Sequence, residues 1–263
     1  RVFAIFANGD LICLDLQGGK VWAINLGVPV NSYGHSSSLI IYSGLLFVQY
    51  DSDTTGRLLA MDAASGKIAW DISRKIDTSA WSSPILANTG GRIELILAAD
   101  PMVASYEPLT GKELWRNDCM DGDVGSSAAY ADGLVFAVNE RVRLAAIKVA
   151  SPAVLAWESM EGLPNTSSPV ANSKYVFMAS SSGTMTCHDA KTGALLWTRE
   201  NESGAGFYAS PIIVGERVYM VDRDGVTHII RADREFSLVS SCSLGEASDA
   251  TPAFMDGRIY TRS

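Results

Sequence analysis

The chain has 263 residues, 47% of them apolar and 19% charged, which marks a globular protein with a sizeable core and excludes a disordered one. A formal net charge of −8 argues against nucleic acid as a partner, because phosphate backbones are met by basic surfaces. No run reaches the roughly 18 uninterrupted apolar residues of a membrane-spanning helix, and Cys13, Cys119, Cys187 and Cys242 stand singly, with none of the CxxC spacing of metal or redox sites.

Opening at Arg1 with no apolar leader, the chain reads as processed or as a fragment. Residues 1–27 have the pattern of the last three strands of a repeat unit and contain Asp15-Leu-Gln-Gly-Gly-Lys-Val-Trp22. Residues 33–76 form the first full unit, from Ser37-Ser38-Leu39 to Asp62-Ala-Ala-Ser-Gly-Lys-Ile-Ala-Trp70. Residues 78–120 repeat it, from Ser82-Ser83-Pro84 to Glu107-Pro-Leu-Thr-Gly-Lys-Glu-Leu-Trp115. In residues 123–161, Ser126-Ser127-Ala128 and Trp157 remain but the acidic residue and glycine are lost. Residues 163–203 run from Ser167-Ser168-Pro169 to Asp189-Ala-Lys-Thr-Gly-Ala-Leu-Leu-Trp197. Residues 205–245 keep Ala209-Ser210-Pro211 but lose the Trp, and residues 248–263 begin another unit at Ala250-Thr251-Pro252.

The five tryptophans follow one another at steps of 48, 45, 42 and 40 residues, and the small-polar markers step by 45, 44, 41, 42 and 41. Within a unit, runs of β-branched, aromatic and small apolar residues alternate with Gly, Asn and Ser turns. The unit at 163–203 divides into Ser168–Ala171, Tyr175–Ser180, Thr184–Asp189 and Ala194–Arg199. Four strands per period of this length predict propeller blades. The expected fold is an all-β propeller, one domain over 1–263 with about six four-stranded blades visible, part of a ring of seven or eight. Two closures are open: Thr251–Phe254 supplies the missing inner strand of the first blade, or the natural chain is longer. The second is favoured because Arg258–Ser263 duplicates Arg1–Phe6 in register.

The repeat phrase has a structural logic. Asp15, Asp62, Glu107 and Asp189 are placed to accept turn amides, and Gly19, Gly66, Gly111 and Gly193 to take a positive φ. Trp22, Trp70, Trp115, Trp157 and Trp197 are placed to pack on the neighbouring blade. Burying such a ring is worth on the order of several kcal/mol at ~25 cal/mol per Å².

With Asp189 to Trp197 as its clearest copy, the pattern resembles the PQQ-like (quinoprotein-type) repeat family over essentially the whole chain. That family includes quinone-dependent dehydrogenases and BamB-like envelope proteins, and this chain is closest in character to the second, non-enzymatic group. The resemblance implies a periplasmic, cell-surface or outer-membrane-associated scaffold without a cofactor, whose partner is another envelope protein or complex. The enzymatic alternative is a quinoprotein dehydrogenase using PQQ and Ca²⁺. Against it stand the absence of an adjacent Cys-Cys pair, the lack of a Ca²⁺ ligand signature and a chain shorter than those enzymes. A further alternative is a glycan- or peptide-binding sensor.

Candidate binding residues fall in the loops of one face: Tyr33, His35, Trp81, Asp123, Asn165, Tyr208 and Asp249. Trp81 is the one Trp outside the repeat phrase and offers a stacking platform or a channel plug. Acidic residues dominate these loops, as ordinary solvated loops or as a negative mouth for a cationic partner. His35, His188 and His228 lie in three different units, which makes a three-His metal site improbable, and His188 reads as structural. Four free thiols, mostly buried, are expected, with Cys119 and Cys242 following outer strands. Two sequons begin at Asn165 and Asn201.

Overall fold

The computed structural model describes residues 1–263 as strands, turns and loops without a helix. Its contacts divide the chain into two compact units: Arg1–Val124 with Ala150–Ala153, and Gly125–Val149 with Val154–Ser263.

The first unit opens with a three-stranded sheet of β1 (Val2–Ile5), β2 (Asp10–Leu14) and β3 (Lys20–Asn25). Two four-stranded sheets follow. One is β4 (Ile40–Tyr42), β5 (Leu45–Gln49), β6 (Gly56–Asp62) and β7 (Ile68–Arg74); the other is β8 (Ile85–Asn88), β9 (Ile93–Ala98), β10 (Met102–Tyr106) and β11 (Glu113–Asp118).

The second unit holds three four-stranded sheets. They are β12 (Ala129–Ala131), β13 (Leu134–Asn139), β14 (Arg143–Lys148) and β15 (Val154–Ser159), then β16 (Val170–Ala171), β17 (Tyr175–Ala179), β18 (Thr184–Asp189) and β19 (Leu195–Glu200), then β20 (Ile212–Val214), β21 (Arg217–Val221), β22 (Val226–Arg231) and β23 (Leu238–Ser243). A hairpin of β24 (Ala253–Met255) and β25 (Arg258–Tyr260) ends the chain. Every complete sheet is an antiparallel meander in chain order, the blade of a β-propeller. At the chain ends, β24 pairs with β25, and the first sheet has three strands.

Middle strands are covered on both faces, so they are almost wholly apolar; β10 is buried throughout, whereas β15 alternates exposed and half-buried. In the first unit Phe47, Leu58, Leu95 and Met102 share one cluster, and in the second Phe177, Phe207, Val218 and Met220 share another.

The repeat phrase ties consecutive blades together. The indole N–H of Trp22 donates to the Ala63 carbonyl at 3.2 Å, that of Trp70 to Pro108 at 3.0 Å and that of Trp157 to Ala190 at 3.0 Å. Each ring lies on the glycine of the next phrase: a Cβ on Gly66, Gly111 or Gly193 would come within 2.7, 2.8 or 2.5 Å of Trp22, Trp70 or Trp157. These glycines therefore serve twice, for φ values of 71–74° and for the seat of a tryptophan. The acidic residues accept turn amides as expected; Asp189 Oδ1 takes Lys191 and Thr192, and Asp62 Oδ1 takes Ser65.

Where the sequence departs from the phrase, the structure compensates. The segment after Trp115 has no glycine seat, and the Trp115 indole instead donates to the buried Glu94 carboxylate at 2.7 Å. Trp197 meets Phe236 edge-on at 5.2 Å. Opposite Ile229, where the pairing Cys187↔Trp197 of the preceding blade predicts a Trp, stands Ser240. The first phrase requires a correction: the positive φ belongs to Gly18, not Gly19, because Asp15 to Trp22 is one residue shorter than the other copies. Gly19 packs against the Asp15 carboxylate and donates its amide to it at 2.7 Å.

The second marker is a hydrogen-bond relay. The Ser38 amide donates to Ser83 Oγ at 2.8 Å in the first unit. In the second, Ser127 donates to Ser168 Oγ, Ser168 to Ser210 Oγ and Ser210 to Thr251 Oγ1, each at 2.9 Å. In these four pairs, the hydroxyl at the middle of a triplet thus pins the inner strand of the blade before it. All four cysteines are free thiols; Cys13, Cys119 and Cys187 are buried. Cys242 is exposed and lies within β23 rather than after it.

Candidate functional site

The seven candidate residues separate into groups. In the first unit, Tyr33 and Trp81 meet edge-to-face at 5.3 Å. Asn31 joins them, its Oδ1 accepting the Trp81 indole N–H at 2.9 Å and the Tyr33 amide at 3.0 Å. Tyr33 stays largely exposed. His35 lies apart from this pair, with its ring 5.1 Å from Tyr50 and its Nε2–H directed to the Ser37 carbonyl at 3.1 Å; burial lowers its pKa.

Beneath these loops sits an ion pair that the sequence did not announce. Arg74 Nη1 contacts both Asp51 oxygens at 2.9 and 2.6 Å, and both side chains are fully buried. Gln49 Nε2 adds a third donor to Asp51 at 2.8 Å. Desolvation offsets much of the attraction in such a buried pair, so its net contribution to stability is small, whereas losing one partner would strand the other charge. Asp123 belongs to a different environment: burial, then the charges of Asp77, Asp121 and Asp123, raise the pKa of Asp100.

In the second unit, Tyr208 and Asp249 come together around Arg223. The guanidinium carbon lies 4.2 Å from the Tyr208 ring centroid, and Nε donates to Asp249 Oδ1 at 3.0 Å. The Arg223 amide donates to the Gly206 carbonyl at 2.9 Å, while its own carbonyl accepts the Ser248 amide at 3.3 Å. Backbone and side chain of Arg223 thus join the loop of the preceding blade, the loop after its own blade and its own turn. A Cβ on Gly225 in that turn would stand 1.9 Å from the Glu246 carbonyl oxygen, so only glycine permits this approach.

Under the platform, Asp222 is fully buried. Burial opposes its charge, but hydrogen bonds from His228, the Val226 amide and Asn201 hold its pKa below the ordinary carboxylate value. Asn165 is not part of this group; its carbonyl lies where a Cβ on Gly125 would reach 2.8 Å, and its Oδ1 accepts from Thr166. Arg223 escaped selection from sequence because it lies among Asp222, Asp224 and a turn glycine; a lone cation in an acidic loop was the available signal. Asn201 is buried and donates to Ala205 and Asp222, which occupies the side chain of the second sequon.

Ca²⁺ takes six to eight oxygen ligands, whereas no group of three or more His, Cys, Asp or Glu side chains is arranged to hold a metal ion. Asp51 and Asp249 are each committed to an arginine. His188 is buried in β18 with Nε2 3.2 Å from Ser159 Oγ, and burial pushes its pKa down to about 4.

The family model described as outer membrane protein assembly factor BamB matches residues 7–239. The chain belongs to the BamB family. BamB of Yersinia pestis is 21% identical over 279 residues, covering 98% of this chain and 68% of that protein. The chain spans about two thirds of the length of the curated BamB relatives it matches. The crystal structure of BamB from Moraxella catarrhalis superposes with a TM-score of 0.77 at 18% identity, over 98% of this chain and 77% of that one. A europium-containing methanol dehydrogenase superposes with a TM-score of 0.76 at 10% identity, over 95% and 68%. At such identities these likenesses show the propeller fold, shared by BamB proteins and by enzymes. No helix is long and apolar enough to cross a membrane.

Proposed function

We propose that this BamB-family chain is a non-catalytic scaffold of the cell envelope serving outer membrane protein assembly, positioned on the periplasmic or outer-membrane side. It docks a protein partner through the Tyr208–Arg223–Asp249 platform. The observation that carries this reading is the immobilised arginine: Arg223 is stacked on Tyr208, bound to Asp249 and fixed at both backbone groups. Tyr and Arg are enriched at binding hot spots, and a pre-ordered guanidinium loses little entropy on meeting a carboxylate or carbonyl. The Tyr33–Trp81 pair supports a second contact on the first unit, for a peptide or a sugar face.

The test is isolation of the full-length protein from cross-linked envelopes, comparing wild type with Arg223→Ala and Tyr208→Ala. A discrete envelope-assembly partner is expected with wild type, with recovery down about tenfold or more in either variant, the loss typical of a hot-spot residue. Recovery should also fall as salt is raised. Undiminished capture by both variants, or an affinity indifferent to salt, would refute the platform. Supplying PQQ and Ca²⁺ with an artificial dye acceptor tests the dehydrogenase alternative; turnover would overturn the scaffold reading.

A further inference from the structure

The docking platform needs Arg223 held in place, and the residue immediately before it has a geometry suited to that task. We propose that Asp222 is a positioning residue: its buried carboxylate locks the two loops that present Tyr208 and Arg223 into one rigid unit. This inference rests on the docking reading for its purpose but on separate contacts for its geometry.

Four donors converge on the Asp222 carboxylate. Oδ1 accepts the amides of Asp224 at 3.1 Å and Val226 at 2.8 Å, which shapes its own turn. Oδ2 accepts Nε2 of His228 at 2.9 Å and Nδ2 of Asn201 at 2.9 Å, which reaches across to the preceding loop. Both outer partners then grip that loop on either side of one residue. Asn201 Nδ2 also donates to the Ala205 carbonyl at 2.9 Å, and the His228 ring meets the buried Phe207 ring edge-on at 5.9 Å. Between Ala205 and Phe207 lies Gly206, whose carbonyl accepts the Arg223 amide. One carboxylate therefore fixes both ends of the hydrogen bond that seats Arg223.

The fold does not demand a carboxylate here. Counting twelve residues on from Ser127, Ser168 and Ser210 of the relay gives Asn139, Ser180 and Asp222. Neutral side chains serve at the first two places. An amide in place of Asp222 could still accept the two turn amides, but its NH₂ would face the NH₂ of Asn201, which spans the two loops. Asp222→Asn thus spares the turn and cuts the link between loops.

The experiment uses the whole free protein with ¹⁵N-labelled arginine, so no partner is needed. In wild type the Arg223 Nε–Hε resonance is expected to be shifted by the Tyr208 ring, and the Arg223 amide to exchange slowly. In Asp222→Asn, and in His228→Phe, which keeps a ring beside Phe207, that shift should collapse. The Arg223 amide should then exchange at least about tenfold faster, the factor expected for losing a hydrogen bond to a buried charge. His228→Gln, which retains a donor, should preserve the wild-type signal. Resonances of Arg199 and Arg217 serve as internal controls for folding. An unchanged Arg223 signal in both disrupting variants overturns the proposal, as does equal loss at every arginine in both, since Asp222 would then act on the fold alone. A correctly positioned Arg223 in a protein that captures no partner would count against the docking reading and leave the positioning role intact.

Discussion

Replacing Gly193 by alanine isolates the double use of the phrase glycine. The residue holds φ at 74°, and a Cβ there would stand 2.5 Å from Cε3 and 2.6 Å from Cδ2 of Trp157. Left-handed backbone costs a non-glycine residue roughly 1–2 kcal/mol. Forcing a packed indole aside adds roughly 1–3 kcal/mol, the usual penalty for inserting a methyl group into a filled site. The total, about 2–5 kcal/mol, is large against the marginal stability of a folded domain. Gly215→Ala is the control: φ is 60° there and no atom lies within 4 Å of the added Cβ, so only the backbone cost of about 1–2 kcal/mol remains. Urea denaturation of both variants measures the difference at the midpoint, with the slope unchanged. A cycle with Trp157→Ala should recover a coupling of roughly 1–3 kcal/mol, because without the ring Gly193→Ala bears the strain alone. Equal costs for Gly193→Ala and Gly215→Ala, or a cost unaffected by removing Trp157, would refute the seat.

Other consequences are open to simpler measurements. Ser168→Ala removes the acceptor of the Ser127 amide and should cost about 1–2 kcal/mol in urea, while Ser168→Thr should restore stability, since Thr251 performs the same role for Ser210. His188 titrates near 4 when folded and near its ordinary 6.5 when unfolded, so the unfolded chain binds the extra proton between those values. Stability should therefore be complete above pH 6.5 and decline by up to about 3 kcal/mol as pH falls toward 4; His188→Gln should flatten that slope, and an unaltered slope would exclude His188 as its source. Native protein should take one equivalent of iodoacetamide, at the exposed Cys242, and four only after unfolding, since the other thiols are buried; rapid labelling of a second thiol would contradict that burial.

The sequence by itself determined the blade. Tryptophans and serine markers with one shared period identify four-stranded units, and alternating short apolar runs set the strands, because these signals act through local turn chemistry and contacts one repeat away. It also placed Tyr208 and Asp249 on one face, since equivalent positions in consecutive units must share a rim. Tertiary structure decided what occupies the space between them. Arg223 looks like one more turn residue until Tyr208, 15 positions earlier, and Asp249, 26 positions later, close on it. Asp222 gains its role only when Asn201 and His228 are brought to its carboxylate from another blade and another strand. The same holds where the repeat phrase is altered. The Trp115 indole N–H goes to Glu94 within its own blade, and Gly19 yields its positive φ to Gly18 because one deleted residue shortens the turn. A repeat specifies its own backbone; which side chains meet across repeats depends on what the neighbouring copy has kept or lost.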